Sequence, residues 1–104
     1  MVWIRISSND EKQIEEITQD LLKAKLIIDA NIERKVERWV LKDGEIGRTQ
    51  IYIVTAKTKS LLFTSIDQRL RDSYKNSMPE VYCLPIVHMD WEQAEQLTKH
   101  IVLV

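Results

Sequence analysis

The chain has 104 residues, with 15 Lys and Arg against 16 Asp and Glu, a formal net charge of −1 and 44% hydrophobic residues. That length fits one domain, residues 1–104, which buries roughly two-thirds of the surface its unfolded chain exposes. The balanced charge argues against a nucleic-acid partner held by bulk phosphate neutralisation, and no apolar run reaches the ~20 residues of a membrane span.

Val2, Ile4 and Ile6 alternate with Trp3, Arg5 and Ser7, the period of a β-strand. Met1–Ile6 lacks a basic stretch followed by an apolar core, so no leader is expected there. Ser8 and Glu11 have the spacing of a capping box. Behind them Ile14, Ile17, Leu21 and Leu22 mark a helix running to about Lys25, with Glu15, Glu16 and Asp20 on its wet side. A second strand is expected from near Leu26 through Ile27, Ile28, Ala30 and Ile32, interrupted by Asp29. It continues as a charged, solvated arm from Glu33 to Leu41. Asp43-Gly44 signals a tight hairpin, because both residues tolerate positive φ. The third strand returns from Glu45 to about Lys57.

Thr58 or Ser60 is expected to cap a second helix striped by Leu62, Ile66 and Leu70. Pro79 biases Met78 towards an extended conformation, and a fourth strand follows from Glu80 to about Val87. Asp90 caps a last helix with Gln93 reaching back, and Trp91, Ala94, Leu97 and Ile101 lie at helical spacing. The closing Val102-Leu103-Val104 is expected to dock against a sheet edge. The order strand, helix, strand, strand, helix, strand, helix is that of an α+β, ferredoxin-like β-α-β-β-α-β sandwich with a C-terminal helix and a long hairpin between its second and third strands.

The strands do not alternate cleanly. Ile51 and Ile53 oppose Tyr52 and Val54, while Val81, Cys83 and Val87 oppose Tyr82, Leu84 and Ile86. Strands apolar on both sides imply a second buried face, and hence a homo-oligomer with its sheets turned inward. At ~25 cal/mol per Å2, burying a few hundred Å2 of such a face contributes several kcal/mol before association costs.

Four motifs point to a family. Pro79-Glu80 followed by Leu84-Pro85-Ile86, Ala30-Asn31-Ile32, Gly44-Glu45-Ile46 and Lys57-Thr58 occur in the order and at the spacing of the CutA divalent-cation-tolerance family, which the chain resembles from Val2 to about Ile101. The resemblance implies a tightly packed homotrimer similar to the PII signalling proteins, with a role in tolerance to copper and other divalent cations. The chain departs from the family in three places. Tyr74-Lys75-Asn76 replaces the family's His-Pro-Tyr, Asp29 falls where the family has a cysteine, and Trp39 is out of register with the family's tryptophan.

Candidate chemistry is sparse. His88 aligns with a histidine of some family members, and Asp29 is its candidate partner across the sheet or from another subunit. This harder ligand pair favours Cu(II) or Zn(II) over Cu(I). His88 and Asp90 by themselves make a two-ligand fragment without the spacing of a known metal motif. Glu80 is expected to be a partly buried carboxylate in a subunit cleft, accepting backbone N–H groups, pairing with Lys57 or contacting a ligand. Lys57 and Trp39 complete the candidate cleft residues. His100 reads as a solvated helix residue. Cys83, the sole cysteine, excludes an intramolecular disulfide, fits a reducing cytoplasm, and reads as a small buried apolar side chain. Gly44 and Gly47 are the only glycines, so there is no glycine-rich phosphate loop, and no nucleophile has an evident base. A non-enzymatic, metal-binding trimer is therefore expected. The alternatives are a PII-like sensor of a small anion signalling through its hairpin, and a rigid trimeric scaffold for a partner protein.

Overall fold

A computed structural model describes residues 1–102. The elements run β1 (Val2–Ser8), α1 (Glu11–Lys23), β2 (Ile28–Lys42), β3 (Glu45–Thr58), α2 (Phe63–Ser73), β4 (Glu80–Pro85) and α3 (Trp91–His100), with a short 3-10 turn (Ser60–Leu62) before α2. The four strands form one sheet in the order β2-β3-β1-β4, and every neighbouring pair is antiparallel. This is the expected ferredoxin-like arrangement.

One sheet face carries the core. Ile4 and Ile6 of β1 lie opposite Ala56 and Val54 of β3, and opposite Cys83 and Val81 of β4. These side chains meet Ile14, Ile17 and Leu21 of α1, Ile66 and Leu70 of α2, and Leu97 and Ile101 at the end of the chain. Leu22, placed on the α1 stripe by its spacing, stays exposed. So does Trp91 on α3.

The helix ends show which local signals prevailed. Asp10 caps α1, its carboxylate accepting from the Lys12 and Gln13 amides at 3.0 and 3.3 Å. The expected box fails because Ser8 bonds the Gln13 side chain instead, while Glu11 turns out to Arg34 at 2.5 Å. At the other end Lys25 adopts φ 58°, and the amides of Lys25 and Leu26 reach back to the carbonyls of Leu22 and Leu21. That is a Schellman closure without glycine. Neither Thr58 nor Ser60 caps α2. The fully buried Thr58 hydroxyl donates to the Leu26 carbonyl at 2.6 Å, and the 3-10 turn leads directly into the helix. Asp90 caps α3 through the Gln93 amide at 3.1 Å, with no return bond from the Gln93 side chain.

The β2–β3 hairpin closes at Asp43 (φ 53°) and Gly44 (φ 78°), both left-handed as a primed turn requires. Strands of 15 and 14 residues project as an arm and give the molecule its 47 Å long axis. Two irregularities, between Ile28 and Asn31 and between Glu33 and Val36, place Asp29 and Lys35 at positive φ. Bulges of this kind bend and over-twist a strand.

The second sheet face is more closed than its sequence suggests. Ile51 and Ile53 lie there, opposite Val36 and Ser7, yet are only 5% and 2% exposed within one protomer. Trp3, Tyr82 and Leu84 on the same face stay 45%, 38% and 47% exposed. β4 ends at Pro85, two residues short of expectation. Only the Ile86 amide, bonded to the Met1 carbonyl at 3.2 Å, continues the pairing, and Val87 is solvent-exposed. Val102 does not reach a sheet edge. Its amide donates to the Lys25 carbonyl, and its carbonyl accepts from Lys59 Nζ at 2.8 Å. The rest of that expected docking falls on residues 103–104, outside the described residues.

Candidate functional site

The candidate residues divide between two cavities. The first, of about 310 Å3, opens where β2 begins, β3 ends and α3 starts; Asp29, Lys57, Asp90 and Glu92 supply its charge, and Ile28 and Leu97 its apolar wall. The irregularity after Ile28 places Asp29 here. Its φ of 55° is one that Asp accepts more readily than most residues, and its carbonyl accepts from Asn31 Nδ2 at 3.0 Å. Lys57 Nζ stands 4.0 Å from the Asp29 carboxylate. His88 is exposed in the turn before α3 and does not line the cavity.

These donors do not make a closed metal centre within one protomer. Among the described residues no three His, Cys, Asp or Glu side chains gather as a cation site. The nearest charge to Asp29 is an ammonium, which competes with a cation for the carboxylate.

The second cavity, about 350 Å3, lies where β1 runs out beside the N-terminus of α1 and the start of β4. Glu80 stands at its rim, but its partner is Arg38 on the hairpin arm, not Lys57. Its side chain is more than half exposed, not partly buried, because it opens β4 at the sheet margin. Arg38 was missed by sequence reasoning, since 42 residues and two intervening strands separate it from Glu80. Gln13 was missed too. It is buried, donates to the Ser77 carbonyl at 2.7 Å and accepts from Ser8, tying α1 to the segment before β4. A polar residue interrupting an apolar helix face was its only signal. Trp39 belongs to neither cavity. It projects from the arm with its indole N–H on Glu37 and the Arg48 guanidinium 5.0 Å from its ring centre.

A family model described as "CutA1 divalent ion tolerance protein" matches residues 2–102. The chain belongs to the CutA1 divalent ion tolerance family. No curated protein sequence matches it, but its fold is shared by several solved CutA1 structures. A divalent cation tolerance protein from Thermus thermophilus is 21% identical, with a TM-score of 0.83 over 98% of this chain and 100% of that one. CutA1 from Pyrococcus horikoshii is 16% identical, with a TM-score of 0.85 over 99% and 100%. A protein described as the periplasmic divalent cation tolerance protein CutA, from Archaeoglobus fulgidus, is 21% identical, with a TM-score of 0.81 over 96% and 98%.

In this CutA1 chain Cys83 packs against the core from β4, and burial pushes its thiol above the usual range. Among the described residues no helix is long and apolar enough to cross a membrane.

Proposed function

We propose that this CutA1 family member is a cytoplasmic, non-enzymatic homotrimer that binds divalent cations weakly at its subunit clefts, with Cu(II) or Zn(II) the preferred ions. The observation that carries the reading is the first cavity, where the carboxylates of Asp29, Asp90 and Glu92 face one Lys57. That excess of acids suits a cation better than the small anion of a PII-like sensor. His88 does not line this cavity within one protomer, but it stands two residues before Asp90 and supplies the imidazole that suits copper and zinc at the subunit cleft. Water or a neighbouring protomer completes the coordination shell. An incomplete shell and the adjacent ammonium together make binding weak.

Calorimetric titration with Cu(II) and Zn(II) tests this. Wild-type protein is expected to bind both, and His88→Ala to lose about tenfold or more in affinity, the effect of removing one ligand from a sparse set. Asp29→Asn is expected to weaken binding while keeping the left-handed backbone, which Asn tolerates. Absence of binding, or equal binding by wild type and His88→Ala, rejects the site.

A further inference from the structure

The first cavity already holds a cation of its own. Asp29, Asp90 and Glu92 line it together with a single base, Lys57. Lys57 Nζ stands 4.0 Å from the Asp29 carboxylate. Among the described residues neither Asp90 nor Glu92 forms an ion pair. The Asp29–Lys57 contact forms within one protomer, at the end of the sheet beside α3, so it does not depend on either sheet face being open.

Two local features fix this contact. Lys57 lies opposite Trp3 of β1 and opposite Ile28 of β2, so its backbone is held by a strand on each side. Asp29 follows Ile28 directly and leaves the ladder at φ 55°. Only the four-carbon stem of the lysine is free to swing. Three carboxylates against one ammonium leave two negative charges in the cavity. One divalent cation neutralises that remainder, and one monovalent cation does not. The ammonium is also tethered, so it reaches Asp29 without the loss of translational freedom that a free ion incurs.

We propose, resting on the cation reading of this cavity, that Lys57 sets its charge selectivity: the ammonium is a built-in monovalent occupant of Asp29, which divalent cations displace and free monovalent cations do not. A doubly charged ion attracts a carboxylate about twice as strongly as an ammonium at the same distance. It therefore draws Asp29 away from Lys57, and the stem carries the ammonium aside. A potassium ion offers only the charge that the tethered ammonium already supplies. Lys57 thus weakens divalent binding and, in exchange, keeps the site unfilled by the monovalent ions of bulk salt.

Calorimetric titration of the intact protein with Zn(II) is the test, run in potassium chloride and in tetramethylammonium chloride at equal ionic strength. The two salts screen alike, but the bulky tetramethylammonium ion cannot approach a carboxylate as potassium does. Wild-type affinity should be the same in both. Lys57→Met keeps a linear apolar stem and removes the charge. It should bind Zn(II) about tenfold more tightly in tetramethylammonium chloride, the order of effect expected when a single charge no longer repels a double one a few ångströms away in wet surroundings. Part of that gain should be lost in potassium chloride. Lys57→Arg keeps the charge and should stay near wild type in both salts. The unfolding midpoint of Lys57→Met should stay near wild type, because a surface pair 4.0 Å apart contributes little. Unchanged or weaker affinity in Lys57→Met overturns the proposal. So does an equal gain in Lys57→Arg, or a wild-type affinity that potassium weakens as much as it weakens the variant's. The cation reading fails separately, when His88→Ala binds Zn(II) as wild type does. Zinc bound by Lys57→Met alone would reject binding by the wild type and uphold Lys57 as the barrier, and no binding by either protein overturns both.

Discussion

Asp20 of α1 and Arg69 of α2 are joined by two hydrogen bonds, at 2.6 and 2.9 Å, the only guanidinium–carboxylate fork among the described residues. Hydrogen bonding to Arg69, reinforced by its charge, holds the Asp20 carboxyl below the usual carboxylate range despite partial burial. A carboxyl depressed in the folded state stabilises it above the unfolded value of ~3.9, and that stability is lost as pH falls through the folded value. Both side chains are nearly half exposed, so the contribution is small. Asp20→Asn should cost about 0.5–1 kcal/mol in urea denaturation at neutral pH, and the difference from wild type should shrink as pH falls below the usual carboxylate range and the Asp20 carboxyl takes up its proton. A constant difference across that range would show that the cost lies in packing. At this scale the sequence was legible in part. Asp20 was readable as a residue on the wet side of its helix, but the choice of Asp10 over Ser8 as the cap, and the pairing of Asp20 with Arg69, depend on where α1 begins and how α2 lies against it.

The long hairpin was the most legible element, and its bulges were the least. Asp43-Gly44 announced the turn because few residue pairs accept two consecutive left-handed conformations. A Cβ built on Gly44 would meet nothing within 4 Å, so any penalty there comes from the backbone alone. Gly44→Val should therefore destabilise the protein by about 1–2 kcal/mol, whereas Gly44→Asn should be near neutral. Equal losses in the two variants, measured by urea denaturation at one protein concentration, would refute a backbone origin. No such signal marks Asp29 or Lys35, which adopt positive φ without being glycine. Their conformation follows from fitting β2 to β3, a constraint absent from either strand alone. Asp29 lines the first cavity, and Arg38, further along the same strand, pairs with Glu80 of β4. The residues of both cavities were thus only half visible: Glu80, Asp29 and Lys57 could be picked out, but not the exchange of partners that sets Glu80 with Arg38 and Lys57 with Asp29.

For the whole molecule, the two-faced strands have two different explanations. Ile51 and Ile53 are already buried in a single protomer and need no partner. Trp3, Tyr82 and Leu84 form an apolar set on adjacent strands of the same face, and they support the proposed association through the sheets. Arg5 reinforces this patch, its guanidinium lying 5.5 Å from the Tyr82 ring centre. A charge placed there should oppose assembly, because an unpaired carboxylate is costly to bury. Leu84→Asp is expected to shift the protein from trimer towards monomer in sedimentation velocity at low micromolar concentration, with the helical signal in circular dichroism retained because Leu84 faces away from the helices. A wild-type protein that sediments as a monomer would refute the assembly.

The sequence by itself determined the element order, the hairpin turn, the helix-facing core and the family, because each rests on local periodicity, turn chemistry or motifs read along the chain. The fold class follows from that order, since a strand–helix–strand unit split by a hairpin has few ways to bury one apolar face per element. Only the tertiary structure decided that Ile51 and Ile53 are covered within the protomer, that His88 lies outside the cavity lined by Asp29, and that Arg38 pairs with Glu80 across two intervening strands. Those outcomes depend on how elements far apart in the chain come together, which no local periodicity or turn signal records; the Arg38–Glu80 pair joins residues 42 positions apart.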